Sequence, residues 1–288
     1  MGFFSTHRPG RWVSHGRSSF ELPVLYYRDD FFLVAYTADA EKVRQRLPCD
    51  SLRPVTLPGD RAVVVFMAAN YIDTTLGPYG EVAIAALVYH VQRGPGGLIP
   101  VLLGLHNPGY LVLDLPVSGL ALRDAGRGEW GYPKFIADID FSITPEGSQC
   151  VLSDRDLHIL TLQVGNRGFL ARERWPIVSY SVRQGQLLRT TVLQTGVFRR
   201  SWYPRHADVV LGEHPVAEAL RELDLSSRPI QSRYYLDRWG VLPAGEVVEE
   251  GVADMDFYLG EDREGRHQVL YLPDLPLSAP PQHGRLDC

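Results

Sequence analysis

Gly126-Arg-Gly-Glu-Trp-Gly-Tyr-Pro-Lys134-Phe-Ile-Ala-Asp-Ile-Asp-Phe141 changes its period halfway along. Upstream, Ser118-Gly-Leu-Ala-Leu-Arg-Asp-Ala-Gly126 reads as a short helix, with Ser118 at the N-cap and Gly126 in the C-terminal cap position. Downstream, Phe135, Ala137, Ile139, Phe141 and Ile143 alternate with Ile136, Asp138, Asp140 and Ser142, the period-two pattern of a half-buried strand. The literal G-x-G-x-x-G at Gly126-Arg-Gly128-Glu-Trp-Gly131 therefore has the wrong neighbours for dinucleotide binding, which needs a strand before it and a helix after it.

Outward from that junction, strand patterns dominate. Phe31 to Thr37, Ala62 to Tyr71, Glu81 to Gln92, Val101 to Leu105, Tyr110 to Leu115, Phe135 to Ile143, Leu157 to Val164 and Leu187 to Val197 are rich in β-branched and aromatic residues between Gly/Pro turns. Many short strands at this spacing favour a large sandwich or a closed barrel over alternating βαβ units. Helical signals are few. Asp39-Ala-Glu-Lys-Val-Arg-Gln-Arg-Leu47 opens on a capping aspartate and sets Val43 and Leu47 inward. His214-Pro-Val-Ala-Glu-Ala-Leu-Arg-Glu-Leu223 has Pro215 in its first turn and Val216, Leu220 and Leu223 on one face. No Pro/Gly/Ser-rich linker divides the middle of the chain, which predicts one α+β domain over residues 21–276. Residues 1–20, polar and basic, read as an arm that orders only against a neighbour, and 277–288 as a loosely held tail.

Composition narrows the function classes. With 45% hydrophobic and 22% charged residues and a net charge of -5, the 288 residues suit an ordinary soluble globular protein. Arg199-Arg200 and Arg172-Glu-Arg174 are too short for the sustained basic stripe of a nucleic-acid surface. The densest apolar run, Leu98 to Leu105, falls short of the ~20 residues that span a bilayer, and the N-terminus lacks the apolar core of a secretory signal. A cytoplasmic location is expected. Cys49, Cys150 and Cys288 show no paired spacing, which fits a reducing compartment. There is no His-x-x-x-His, Cys-x-x-Cys or Gly-x-Ser-x-Gly, so neither zinc nor serine-hydrolase chemistry has a sequence handle. No metal or organic cofactor is expected.

Only two of the 29 basic residues, Lys42 and Lys134, are lysines. An amine can do what guanidinium cannot: lose its proton and attack a carbonyl. Lys42 falls on the outer side of its short helix and reads as solvated. Lys134 sits among Trp130, Tyr132, Phe135 and Ile136, with Pro133 stiffening the backbone that presents it. A lysine amine ordinarily has a pKa of about 10.4, so a nucleophilic lysine needs desolvation or a neighbouring cation. The apolar flanks offer the first. By strand parity Lys134 groups with Ile136, Asp138, Asp140 and Ser142, a set that reads either as a solvated face or as a pocket lining with a polar outer end.

The same segment resembles the Gly-Arg-Glu…Tyr-Pro-Lys motif of the acetoacetate decarboxylase family, whose lysine forms a Schiff base. Other blocks agree in order. Leu22-Pro-Val-Leu-Tyr-Tyr-Arg28-Asp-Asp resembles the family's opening strand with its active-site arginine. Ala69-Asn-Tyr-Ile-Asp-Thr-Thr-Leu-Gly-Pro-Tyr79-Gly-Glu81-Val resembles the block that ends in its active-site glutamate. Leu47-Pro and Leu52-Arg-Pro resemble the segment after its first helix, and the likeness runs on to Gly212-Glu-His-Pro-Val-Ala-Glu-Ala-Leu. The resemblance implies a large, cone-like closed antiparallel β-barrel with a few peripheral helices, an inward-facing lysine and a homo-oligomer. Two positions depart from the pattern. The decarboxylases that gave the family its name carry a second lysine directly after the reactive one, here Phe135, and a further pocket carboxylate at a place matched by Val65.

By that resemblance Lys134 attacks the ketone of a small keto acid and makes a protonated imine, and Glu81 moves the protons that each imine step requires. Arg28 and Arg127 would hold the substrate carboxylate or tune the lysine. Tyr79, Trp130, Tyr132, Phe135, Val65 and Met67 are expected to line the pocket. A β-keto acid would lose CO2. A 2-oxo acid would instead give an enamine for aldol addition, dehydration or cyclisation, and a silent barrel that only binds a small acid is the third reading. Neither a nucleic acid nor a membrane is an expected partner.

Overall fold

The computed structural model describes residues 2–93, 108–173 and 175–260; the strand expected over 101–105 and the tail 277–288 lie outside them. In chain order the strands are β1 Arg11–His15, β2 Ser18–Leu22, β3 Val24–Asp39, β4 Leu52–Pro54, β5 Arg61–Thr74, β6 Tyr79–His90, β7 Gly109–Asp114, β8 Asp138–Thr144, β9 Gly147–Asp154, β10 Leu157–Gly165, β11 Phe169–Glu173, β12 Ile177–Arg183, β13 Gln186–Trp202, β14 Ala207–Leu211, β15 Gln231–Leu242 and β16 Glu246–Glu250. The α-helices are α1 Ala40–Arg44, α2 Leu120–Trp130 and α3 Pro215–Arg221.

The main sheet closes on itself. Its path β13-β12-β7-β6-β5-β3-β15 returns to β13 through the β13–β15 ladder. Every ladder of that ring is antiparallel except β7–β12, which pairs in parallel over Ser179–Tyr110 and Tyr180–Leu111. The fold is thus mainly antiparallel β with few helices, as the sequence implies. Closure removes the edges that a sheet of this size would otherwise present to solvent. A second, four-stranded sheet, β14-β10-β9-β8, lies outside the ring.

Alternation along the ring strands sorts side chains into two cores. Phe31, Leu33 and Ala35 of β3 and Val63, Val65 and Ala69 of β5 face inward, with Tyr71 and Tyr79. Their neighbours Phe32, Val34, Phe66 and Ile84 face outward and pack with Phe135, Ala137, Cys150, Leu152 and Leu162 beneath the second sheet. Consecutive residues point to opposite faces of a strand, so a single layer of backbone separates the two cores. Tyr36 ties the layers together: its hydroxyl donates to Asp208 Oδ1 at 2.8 Å and accepts from the amide of Val209 at 2.9 Å.

Two local readings of the sequence are corrected. Helix α2 begins after Gly119 with no side-chain cap and runs through Gly126 to Trp130; the terminating glycine is Gly131, in the left-handed conformation at φ 63°. Gly126 needs no special backbone there, and its role is steric, as described below. Residues 11–22 form the hairpin β1–β2 rather than a loose arm. Gly16, at φ 58°, makes the turn, and the hairpin clasps α2: Arg11 Nη2 and His15 Nε2 reach the two carboxylate oxygens of Glu129 at 2.8 and 2.9 Å, and the Arg17 amide donates to Asp124 at 3.1 Å. The other two helices form where expected, with Asp39 accepting from the Lys42 amide and His214 Nδ1 from that of Val216.

At the end of β7, Asp114 is an acid under strain of environment. Burial pushes its carboxyl from 3.8 up to about 7, with the Arg46 charge opposing only in part. The folded chain therefore holds this proton more tightly than the unfolded chain. That contribution to stability is fully present below about pH 4 and is lost as pH rises through 7. We expect Asp114→Asn to leave the melting temperature at pH 4 nearly unchanged and to raise it at pH 8 by about 5 °C, for a gain on the order of 2 kcal/mol. Thermal melts of both proteins at the two pH values check this; equal shifts at both would contradict it.

Candidate active site

The residues around Lys134 are fixed by backbone before any side chain acts. Left-handed Gly131 ends α2, and the Tyr132 amide returns to Gly126 O at 3.1 Å. Proline at 133 favours the tight turn in which the Lys134 amide donates to Tyr132 O at 2.7 Å. The next residues run beside 115–117: Leu115 donates to Pro133 O, Val117 to Phe135 O and Ala137 back to Val117 O. Arg183 and Ser181 of β12 hold the carbonyls of Gly128, Glu129 and Trp130, satisfying the end of α2. Arg127 donates from Nε to Lys134 O at 2.6 Å, and burial lowers its guanidinium to about 10. Arg127 thus positions the Lys134 backbone and is not among the residues of the cavity wall.

Lys134 and Phe135 part company at this point. Phe135 is fully buried in the core between the sheets, edge-on to Tyr258. That corrects its expected place in the pocket, since the residue after an inward-facing one must face out. Lys134, 6% exposed, extends over Gly126 to Glu81 on β6, where Nζ lies 2.6 Å from Oε2. A side chain on residue 126 would block that path, because an added Cβ would stand 2.4 Å from both Cδ and Cε of Lys134. The other Glu81 oxygen faces the Tyr71 hydroxyl at 3.4 Å, and the Tyr79 ring centroid lies 5.8 Å from Nζ.

Glu81 stands on the wall of an interior cavity of about 110 Å³ with Met67, Ala69, Tyr71, Ala83, Tyr132 and Arg238. Lys134 joins that space through Glu81 rather than lining it. Tyr26, Tyr71 and Tyr79 pack beside the pair as tilted rings with centroids 4.7 and 4.5 Å apart, and the hydroxyls of Tyr26 and Tyr79 meet at 3.2 Å. Burial, reinforced by the charge of Glu81, raises all three hydroxyls above the ordinary phenol range, so they act as neutral hydrogen-bonding groups. Burial likewise pushes Tyr132 up to about 12; its hydroxyl is 2.8 Å from Ser179 Oγ. A larger cavity of about 220 Å³, between α3, the end of β7 and Met255–Tyr258, contains neither Lys134 nor Glu81.

The other expected site residues distribute as follows. Met67 and Tyr132 line the cavity. Val65 is in the inner core but off the cavity wall, and Trp130 stacks between Phe20 and Tyr132 with its indole donating to Pro243 O at 2.7 Å. Arg28 is exposed. Register shifts in the β3–β5 ladder on both sides of Arg28 turn it to solvent and turn Asp29 inward, where the Asp29 side chain is wholly buried against Arg238. The cationic residue of the cavity wall is Arg238, which the sequence reading passed over. Among the described residues no cluster of three or more His, Cys, Asp or Glu side chains is arranged to hold a metal, and no helix is long and apolar enough to cross a membrane.

The closed β ring thus carries a largely buried amine–carboxylate pair, its carboxylate on the cavity wall. The family model for acetoacetate decarboxylase matches residues 13–251, and the chain belongs to that family. No curated protein matches it. Among solved structures it is similar to the acetoacetate decarboxylase of Legionella pneumophila, at 18% identity and a TM-score of 0.60, with 85% of this chain and 94% of that one covered. It is similar also to the enduracididine biosynthesis enzyme MppR complexed with the condensation product of pyruvate and imidazole 4-carboxaldehyde, at 15% identity, TM-score 0.57 and coverage of 78% and 88%. An acetoacetate decarboxylase-like enzyme from Sphingomonas wittichii stands at 14% identity, TM-score 0.57 and coverage of 79% and 94%. At such identities these likenesses are of fold.

Proposed function

We propose that this chain is a Schiff-base-forming lyase that decarboxylates a small β-keto acid. The observation that carries the reading is the buried Lys134–Glu81 contact of 2.6 Å at the wall of a cavity lined mostly by apolar and tyrosine side chains, with Ser179 and Arg238 as its other polar groups. Transfer of a proton from the ammonium to Glu81 turns an ion pair into two neutral groups and frees the amine to attack. Attack on the ketone and loss of water give a protonated imine. The bond to the β-carboxylate then breaks, CO2 leaves, and the electron pair passes to the imine nitrogen, forming an enamine. Protonation at carbon by Glu81, followed by hydrolysis, returns the ketone product and the lysine. No external oxidant or reductant enters this sequence.

A second reading has its own support. MppR, which shares the fold, holds a pyruvate condensation product, and the same imine formed on a 2-oxo acid would favour aldol addition, dehydration or cyclisation. Borohydride reduction in the presence of a β-keto acid is expected to fix the substrate carbon skeleton, less CO2, on Lys134, with CO2 released on turnover. Formation of a longer carbon skeleton without CO2 would transfer the assignment to the aldol class. Absence of any adduct across a panel of keto acids would leave a barrel that only binds small acids.

A further inference from the structure

Arg238 is unusually placed for a structural arginine. It is 5% exposed, lines the same cavity as Glu81 and lies 4.2 Å over the Phe31 ring. Nη1 pairs with Asp29 Oδ2, while Nε makes only a long contact of 3.4 Å to Gln194. Nη2 has no hydrogen-bond acceptor among the described residues. On the other side of the pair, Asp29 Oδ1 is buried and accepts no hydrogen bond among the described residues. Burial raises the Asp29 carboxyl despite the opposing Arg238 charge. A desolvated pair with one contact where a guanidinium fork offers two leaves donor capacity unused, which is costly unless a ligand takes it up. That capacity lies on the cavity wall, and Tyr26 and Tyr71 feel the charges of both Arg238 and Glu81.

We propose that Arg238 binds a carboxylate that the substrate keeps, so that the acid processed at Lys134 is a keto acid with two carboxylates. This rests on the Schiff-base reading above. An arginine clamped on the departing carboxylate would stabilise the ground state and oppose CO2 loss, because only interactions stronger in the transition state accelerate the step. A second, retained carboxylate avoids that conflict and uses the binding to orient the ketone toward Lys134.

The test compares 3-oxoadipate with 3-oxohexanoate, acids of equal length that differ in the remote carboxylate. It uses the wild-type protein and Asp29→Asn/Arg238→Met, a double variant that leaves no buried charge unpaired. The wild type is expected to favour the diacid by roughly 100-fold in kcat/KM, and the variant to handle the two acids within a few-fold of each other. Calorimetric binding of unreactive glutarate against pentanoate reads the same preference without turnover. Equal handling of both acids by the wild type, or an undiminished diacid preference in the variant, would overturn the role of Arg238. Borohydride trapping on Lys134 judges the Schiff base separately, since a failed anchor still permits an adduct and a failed imine still permits diacid binding.

Discussion

Lys134→Arg is expected to abolish keto-acid turnover, by at least ~10⁴-fold in kcat, while the protein still folds. The substitution keeps a positive charge beside Glu81, whose carboxylate meets Nζ at 2.6 Å in a site where an unpaired acid would be expensive. What it removes is the capacity to become a neutral nucleophile, because a guanidinium stays protonated at any working pH. Thermal stability within a few degrees of wild type, combined with no borohydride adduct, is the expected pair of results. A variant that turns over normally would eliminate amine catalysis outright.

Gly126→Ala should separate helix stability from catalysis. Within α2, alanine is the better helix former by about 1 kcal/mol, so on propensity alone the variant gains stability. Yet the new methyl would lie 2.4 Å from two carbons of the Lys134 side chain. Backbone contacts fix Lys134 from both sides, so the long side chain must yield and carry Nζ away from Glu81. A displacement of about 1 Å at a reacting atom costs on the order of 100-fold. We expect kcat to fall by that factor, with a melting temperature equal to or above that of wild type. Unaltered kcat would show that the path of the lysine over this glycine has no bearing on the reaction.

The sequence singled out Lys134 better than it read the residue's surroundings. Scarcity of lysine and the block ending in Glu81 pointed to two residues 53 positions apart that the fold joins. Period-two alternation correctly put Phe135 and Ala137 on one face with Ile139 and Phe141, yet gave no sign that this face is the one turned from the chemistry. Both members of the Arg238–Asp29 pair owe their inward placement to one physical feature. Each lies beside a register shift, between Tyr26 and Asp29 in β3 and between Tyr235 and Asp237 in β15, and an extra residue reverses which side of the sheet every later side chain takes. Arg28, expected in the site from the family resemblance, is exposed, and Arg238, which the sequence reading passed over, is buried. The N-terminal hairpin was missed because its residues are polar enough to pass for an arm. The Gly16 turn between Arg11–His15 and Ser18–Leu22 was the available clue.

Because one backbone layer parts the inner wall from the packing beneath the second sheet, the fold can change its diet without changing its skeleton. Met67, Ala69 and Ala83 touch the cavity, whereas their strand neighbours Phe66, Ala68 and Ile84 support the scaffold. Substitution in the first set can therefore reshape the cavity while the second goes on holding the molecule together.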